Sequence, residues 1–371
     1  MRENLSFLAH DDFPSLLATV QAAGYHTIGP QLRDGTIIFD TLNSVDQLPK
    51  GIHDQQAPGS YRLEKSDSPR LFAWANGPQA IKPFLFTPRE VLWRSQRSET
   101  GELSFSTGEP EVKPTAIIGV RPCDIAALYL QDKHFLQQEK VDPYYKKRRE
   151  QLLLIAVNCT HPAKTCFCAS SGDGPQAHYG FDIALTELDD GFLLEAHNQR
   201  GGELLEKLAA QPATEAQQQH AEQALTHAAE QQTRQLPGQN LNEALFKNLQ
   251  HPQWQKIADR CLGCGNCTAV CPTCFCHSEG ELAALDGQSS EHYREWDSCF
   301  SPGHSYIHGI TIRPDTRTQY RQWMTHKLGS WHAQYGRSGC VGCGRCISWC
   351  PVGIDLTAEA AIICGEDNKN E

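Results

Sequence analysis

The chain has 371 residues, with 33 Lys and Arg against 44 Asp and Glu, a net charge of −11. No basic surplus exists to neutralise phosphates, so nucleic acid is not an expected partner. The longest apolar stretches, such as Leu152–Val157, are far shorter than the roughly 20 residues that span a bilayer, so no membrane span is expected.

At about 150 residues per domain, the length suits two or three domains. The first twelve residues are interrupted by charge and lack the apolar core of an export signal, which predicts a cytoplasmic protein. Sixteen cysteines stand out against that background. A disulfide scaffold of such density would be short and exported. In a reducing compartment, clustered cysteines mean metal or redox chemistry.

In chain order, residues 12–24 predict a short amphipathic helix. Residues 29–39 predict a hairpin around the Asp34-Gly35 turn pair. Residues 44–68, with Pro49, Pro58 and Pro69 nearby, read as loop. Two short apolar runs follow, 116–120 and Leu152–Val157, each of the kind that suits a strand buried on both faces. The helical spacing of 124–136 predicts a crossover between them, as in a βαβ unit. From 203 to 249, Ala, Gln and Glu dominate, and a solvated helical connector is expected, broken at Pro237-Gly238. A boundary near residue 240 then divides an α/β domain, 1–240, from a second domain, 241–371.

The second domain carries an internal repeat. Cys261-Leu-Gly-Cys264-Gly-Asn-Cys267-Thr-Ala-Val-Cys271-Pro272 aligns with Cys340-Val-Gly-Cys343-Gly-Arg-Cys346-Ile-Ser-Trp-Cys350-Pro351, with seven of twelve positions identical. Three cysteines at C-x2-C-x2-C wrap one cubane, and the fourth ligates the other cluster of a pair. Cys261, Cys264, Cys267 and Cys350 should therefore hold one [4Fe–4S] cluster, and Cys340, Cys343, Cys346 and Cys271 a second. Structural zinc or free thiols are the alternatives. Glycines 263, 265, 342 and 344 would let backbone approach the inorganic core. Arg345 stands where the first run has Asn266, so a nearby cation should make the second cluster easier to reduce. Sixty-eight residues separate Cys271 from Cys340, and much of that insert, such as 315–328, is helix-compatible. An α-helical ferredoxin-type domain is expected.

Eight cysteines remain. If the two buried runs pair in parallel, Cys123 and Cys159 sit on one rim of the sheet, where α/β proteins place sites. Cys166 and Cys168 follow in a nearby loop, so these four could hold a third [4Fe–4S] cluster; the alternative is buried free thiols. Cys274, Cys276 and Cys299 could form a further metal site with His277 or His304, or merely support the first cluster. Cys364 reads as core. No dinucleotide fingerprint follows a strand, so neither flavin nor nicotinamide is expected on the isolated chain.

These motifs together resemble a known family. Gly119-Val-Arg-Pro-Cys-Asp124, Asp142-Pro-Tyr-Tyr145 with Arg148-Arg149, Cys166-Phe-Cys168, the run Cys261 to Cys276, Trp296-Asp-Ser-Cys299 and Gly339-Cys-Val-Gly-Cys-Gly-Arg-Cys346 carry the resemblance. The family is the iron–sulfur β subunit of cytoplasmic sulfhydrogenase, a soluble nickel–iron hydrogenase, with its relative, the electron-transfer subunit of anaerobic sulfite reductase. The resemblance implies an electron-transfer subunit that is not catalytic alone. It implies partners too: a flavin-containing NAD(P)H subunit, with either hydrogenase small and large subunits or a sulfite-reducing subunit. A competing function is direct reduction of sulfur or polysulfide at an exposed cluster near Cys276 and Cys299. A redox sensor is the third reading.

Overall fold

The computed structural model describes residues 5–238 and 241–365. The boundary expected near residue 240 falls on the undescribed pair 239–240.

The N-terminal half is built on a sheet of eight strands. They are β1 (Ser6–Ala9), β2 (His26–Arg33), β3 (Thr36–Thr41), then β8 (Thr115–Val120), β9 (Leu152–Val157), β10 (Ile183–Glu187), β11 (Gly191–Ala196) and β12 (Gln211–Pro212). Their spatial order is β12-β1-β11-β10-β9-β8-β2-β3. The four central strands, β10, β9, β8 and β2, run parallel. Antiparallel strands finish both edges. Every residue of β9 and β10 is buried, as strands covered on both faces require.

One face packs on the helix Phe13–Ala22 through Phe13, Leu16, Leu17 and Val20. The other packs on the helix Pro122–Leu136 through Ile125, Leu128 and Phe135. That helix, with Pro143–Glu150, makes the crossover from β8 to the parallel β9. Gly119 has φ +89°, and the β8–β9 register shifts at it. This bulge turns the end of β8 where the chain passes through Arg121 into the helix Pro122–Leu136.

Residues 44–68 are not loop throughout. β4 (Ile52–Ala57) and β5 (Ser60–Lys65) form a hairpin around Pro58-Gly59. Its inward positions include Asp54 and Gln56, so the buried face is polar and shows no hydrophobic alternation. Asp54 accepts from Ala75 N at 2.6 Å and from Gln56 Nε2 at 2.6 Å.

The insert between the two cysteine runs also departs from the helical expectation. Its second part is helical over Thr316–Thr325 and Trp331–Tyr335, with a π-helical turn at His326–Ser330 between them. Its first part is a hairpin, β13 (His277–Ala283) and β14 (Ser289–Trp296). β14 pairs antiparallel with β6 (Arg89–Arg97), which pairs with β7 (Leu103–Thr107), making a four-stranded sheet from both halves of the chain. These strands are mostly polar and exposed. Their anchor is buried Arg294, which bonds Glu90 at 2.8 Å and also meets Asp142. Both residues are acidic and nearly enclosed, so the guanidinium is answered where it is buried.

The helices Leu241–Lys247, Gln253–Ala258, Thr316–Thr325 and Leu356–Gly365 enclose a separate core around Trp254, Trp323, Met324 and Leu328. Cys364 lies in that core, as expected. The connector carries one long helix, Glu215–Glu230, begun by a reciprocal cap between Thr214 and Gln217.

Candidate iron–sulfur centres

The two cysteine runs fold alike. Gly263 and Gly342 both have φ +64°; Gly265 and Gly344 have +73° and +74°. Each second glycine caps a one-turn helix, Asn266–Ala269 or Arg345–Ser348. In each run a glycine N–H reaches the first sulfur: Gly263 N to Cys261 Sγ at 3.4 Å, and Gly342 N to Cys340 Sγ at 3.5 Å. L-residues rarely adopt these angles, so glycine is needed for the turn itself. The second run needs it for packing as well. A Cβ on Gly342 would lie 2.5 Å from Cys168 N, and one on Gly344 2.4 Å from Thr165 O. A Cβ on Gly263 would meet only Thr316 Oγ1, at 3.7 Å.

That asymmetry yields an expected result. Gly263→Ala should cost about 1–2 kcal/mol of stability, the price of a left-handed alanine. Gly342→Ala should cost clearly more and should disturb the loop 165–168, because backbone cannot yield to the new methyl. Denaturant unfolding of the two variants measures the difference; equal losses would show that the loop gives way.

Two cavities in the C-terminal half are bordered by cysteines of both runs. Cys261, Cys264, Cys267 and Cys350 border one, whose other walls are Phe300, Tyr320, Trp323 and Leu356. Cys271, Cys340 and Cys343 border the other, beside Lys327 and Thr273. Cys346 lies between them and borders both. Each run's last cysteine thus faces the other run's cavity. Ile354 N donates to Cys350 Sγ at 3.3 Å just beyond the second run, and Asn266 Nδ2 donates to Trp349 O at 2.9 Å, which ties the two runs together. Burial pushes the Cys340 thiol up to about 12 and raises Cys267 and Cys346 strongly, with the neighbouring thiols adding to it. Such sulfurs become thiolates only with a metal to bind.

A third cavity lies at the carboxyl rim of the parallel sheet. Cys123 stands just past β8 and Cys159 just past β9, and both border it together with Cys166 and Cys168. All four are buried. Burial, then Cys159, pushes the Cys168 thiol up to about 12. The connector closes this cavity: Gln232 Oε1 accepts from Ala169 N at 3.0 Å and from Cys168 Sγ at 3.5 Å. Arg234 bonds Asp355 at 2.7 Å and also reaches Lys164 O. The composition of 203–249 gave no sign of this strap.

The third cavity adjoins the second. Asn76 Nδ2 donates to Cys343 O at 2.8 Å and to Cys166 Sγ at 3.9 Å. Phe167 N donates to Gly342 O at 2.8 Å. Between the two cavities lies a buried ion pair, Arg345 Nη1 to Asp124 Oδ1 at 2.6 Å and Nη2 to Oδ2 at 2.9 Å. Its position adds a partner to the expectation for Arg345. The guanidinium is close to Cys343, but its charge is met by Asp124 and shared with the Cys123 side.

Lys327 is a buried cation bordering the second cavity, with no carboxylate in salt-bridge contact among the described residues. It donates to Thr273 Oγ1 at 2.8 Å, and the negative charge that Cys271, Cys274 and Cys340 carry when deprotonated raises its pKa above the ordinary value despite burial. It stands 54 positions beyond Thr273, and no motif flags it.

Cys274, Cys276 and Cys299 gather near Lys327 and Lys82. Lys82 Nζ donates to Cys274 O at 3.2 Å and covers the Trp296 ring at 3.8 Å. Cys264, Cys274 and Cys276 line an open cavity of about 220 Å³ there. Neither histidine joins them as a ligand: His277 packs on Phe86, and His304 faces Asp297 at 3.5 Å. Among the described residues, no three His, Cys, Asp or Glu side chains converge on a point where one metal ion would sit. The three quartets border volumes instead, which suits a cubane better than a single ion.

The donor sets fit iron–sulfur clusters: each cavity offers four sulfurs, and the two runs aim N–H groups at sulfur. The third cavity adds a sharper sign. Arg121 borders it, is 2 % exposed, and leaves Nε and Nη1 without any partner. A buried guanidinium with two open donors beside four cysteines fits an anionic group.

Residues 260–354 match the 4Fe-4S dicluster domain. The chain is similar to sulfhydrogenase 2 subunit beta of Pyrococcus furiosus, with 29% identity over 346 residues, covering 92% of this chain and 93% of that one. No solved structure matches it. Among the described residues, no helix is long and apolar enough to cross a membrane.

Proposed function

We propose that this chain is the electron-relay subunit of a multi-subunit cytoplasmic oxidoreductase of the sulfhydrogenase type. The relay runs through three [4Fe–4S] clusters: one on Cys261, Cys264, Cys267 and Cys350, one on Cys340, Cys343, Cys346 and Cys271, and one on Cys123, Cys159, Cys166 and Cys168. When bound, such clusters accept and return single electrons. The observation that carries the reading is the placement of three cysteine quartets around three adjoining cavities.

On this reading the chain falls into an α/β domain with one centre, 1–240, and a ferredoxin-type domain with two, 241–371. The protein's own residues hold, screen and order the centres. Tyr320, Trp323 and Phe300 wall the first centre from water on its inner side. Its outer side carries exposed Cys264, with Leu262 66 % and Val352 37 % exposed. An apolar rim around one exposed cysteine suits docking of a redox partner. The partner on one side is a flavin subunit that handles NAD(P)H. On the other it is a hydrogenase small subunit, or, in the alternative assembly, a sulfite-reducing subunit.

The test is iron content and reducibility of the full chain, purified without oxygen. About twelve iron atoms per chain are expected, three cubanes of four. Cys166→Ser should lower the count by about four and leave the ferredoxin-type signals. Dithionite should reduce the protein; NAD(P)H alone should not. A count of about eight, unchanged by Cys166→Ser, sinks the third centre.

A second reading has its own support in the open cavity lined by Cys264, Cys274, Cys276 and Lys82. There the reduced chain would pass electrons to polysulfide directly. Sulfide release by the reduced chain, without partners, is its test.

A further inference from the structure

We infer that Arg121 is the fixed counter-cation of the N-terminal centre and the residue that sets its reduction potential. The inference rests on the reading that Cys123, Cys159, Cys166 and Cys168 hold a cluster.

Arg121 follows the last residue of β8 and precedes the helix Pro122–Leu136. Its side chain is pinned on one side only. Nη2 donates to Phe72 O at 2.9 Å and to Trp74 O, and the guanidinium lies over the Trp74 ring at 4.2 Å. Nε and Nη1 have no acceptor. The neighbouring buried carboxylates are engaged elsewhere. Asp54 takes Ala75 N and Gln56; Glu187 takes Leu71 N at 2.6 Å and Phe72 N at 2.8 Å.

The other buried arginines differ. Arg345 is paired with Asp124, and Arg294 with Glu90 and Asp142. Arg121 alone of the three borders a cysteine quartet with its charge unanswered by a carboxylate in bonding contact. An unpaired buried charge is heavily penalised, so the anion belongs in the cavity it borders. A cubane on four thiolates is negative, and one electron makes it more so. A fixed cation with open N–H groups beside the sulfurs therefore favours the reduced form. Among the described residues that line the first centre's cavity, none is charged.

The experiment uses the full chain loaded with iron, with Arg121→Met and Arg121→Lys beside it. The readouts are iron content and the midpoint potential of the signal that Cys166→Ser abolishes. Arg121→Met should disfavour reduction at least tenfold, about 59 mV for a one-electron couple. Arg121→Lys, which keeps the charge but not the two-pronged donor, should shift it less. An unmoved potential in Arg121→Met overturns the inference while the cluster itself stands. If Arg121→Met loses the centre's iron and Arg121→Lys keeps it, the need for the charge is upheld. Loss from both variants overturns it and makes Arg121 a support for Trp74. If Cys166→Ser removes no iron from the parent protein, the cluster reading fails, and this inference with it.

Discussion

Replacing Cys350 by serine should remove the first iron–sulfur centre and leave the second. Cys350 lies in the second run, ten residues beyond Cys340, yet it borders the cavity of Cys261, Cys264 and Cys267. The thiol of Cys261 is raised by burial and, among neighbouring sulfurs, most by Cys350. Serine offers a poor ligand at neutral pH, so three thiolates would be left to hold that cluster. The iron count should fall by about four, the content of one cubane. Cys271→Ser is the mirror case and should remove the centre bordered by Cys340 and Cys343. Electron paramagnetic resonance of both variants separates the two signals. If Cys350→Ser instead abolishes the signal lost in Cys340→Ser, the crossed ligation is wrong.

The second large effect is expected at Asp124. Its pair with Arg345 is 0 % and 1 % exposed, and Arg345 Nε also donates to Gly77 O at 3.0 Å. Asp124→Ala leaves a guanidinium enclosed without its anion. Breaking one side of such a pair costs about 3–5 kcal/mol. The apolar double variant Asp124→Leu with Arg345→Met should recover most of that loss, since the burial penalty goes with the charges. Denaturant unfolding of the two variants decides. A loss under about 1 kcal/mol in Asp124→Ala would mean that water reaches the guanidinium.

The partner of Arg345 in this pair was not legible in the sequence. Arg345 sits inside the second run, so its neighbours in the chain are the cysteines proposed as cluster ligands, and a tuning charge is a natural reading. Its partner is 221 positions away, on the helix that follows β8. No local pattern announces such a pair. The same holds for Lys327 and for the Gln232 strap, each brought to a sulfur site by tertiary packing.

What was legible had local spacing. The repeat declares itself because cubane ligation fixes the intervals between cysteines. β8 and β9 declare themselves because strands covered on both faces read as unbroken apolar runs. Their parallel pairing then brings Cys123 and Cys159 to one rim. The hairpins β4–β5 and β13–β14 stayed hidden for the opposite reason. Apart from Ile52 at the start of β4, their buried positions are Asp54, Gln56 and Arg294, satisfied by hydrogen bonds and ion pairs, so neither shows a sustained apolar period of two.

The β13–β14 hairpin has a practical consequence for anyone isolating the cysteine-rich half. Within the whole protein, β14 is an interior strand, bonded to β13 on one side and to β6 on the other. A fragment starting at residue 241 keeps β13 and loses β6. It would display a strand of eight residues with one row of backbone N–H and C=O groups open to water. Such a row is a template for a second chain, and Arg294 would lose Glu90 at the same stroke. The excised piece would therefore be prone to self-association, and studies of the cysteine-rich half are better served by keeping 89–97 attached.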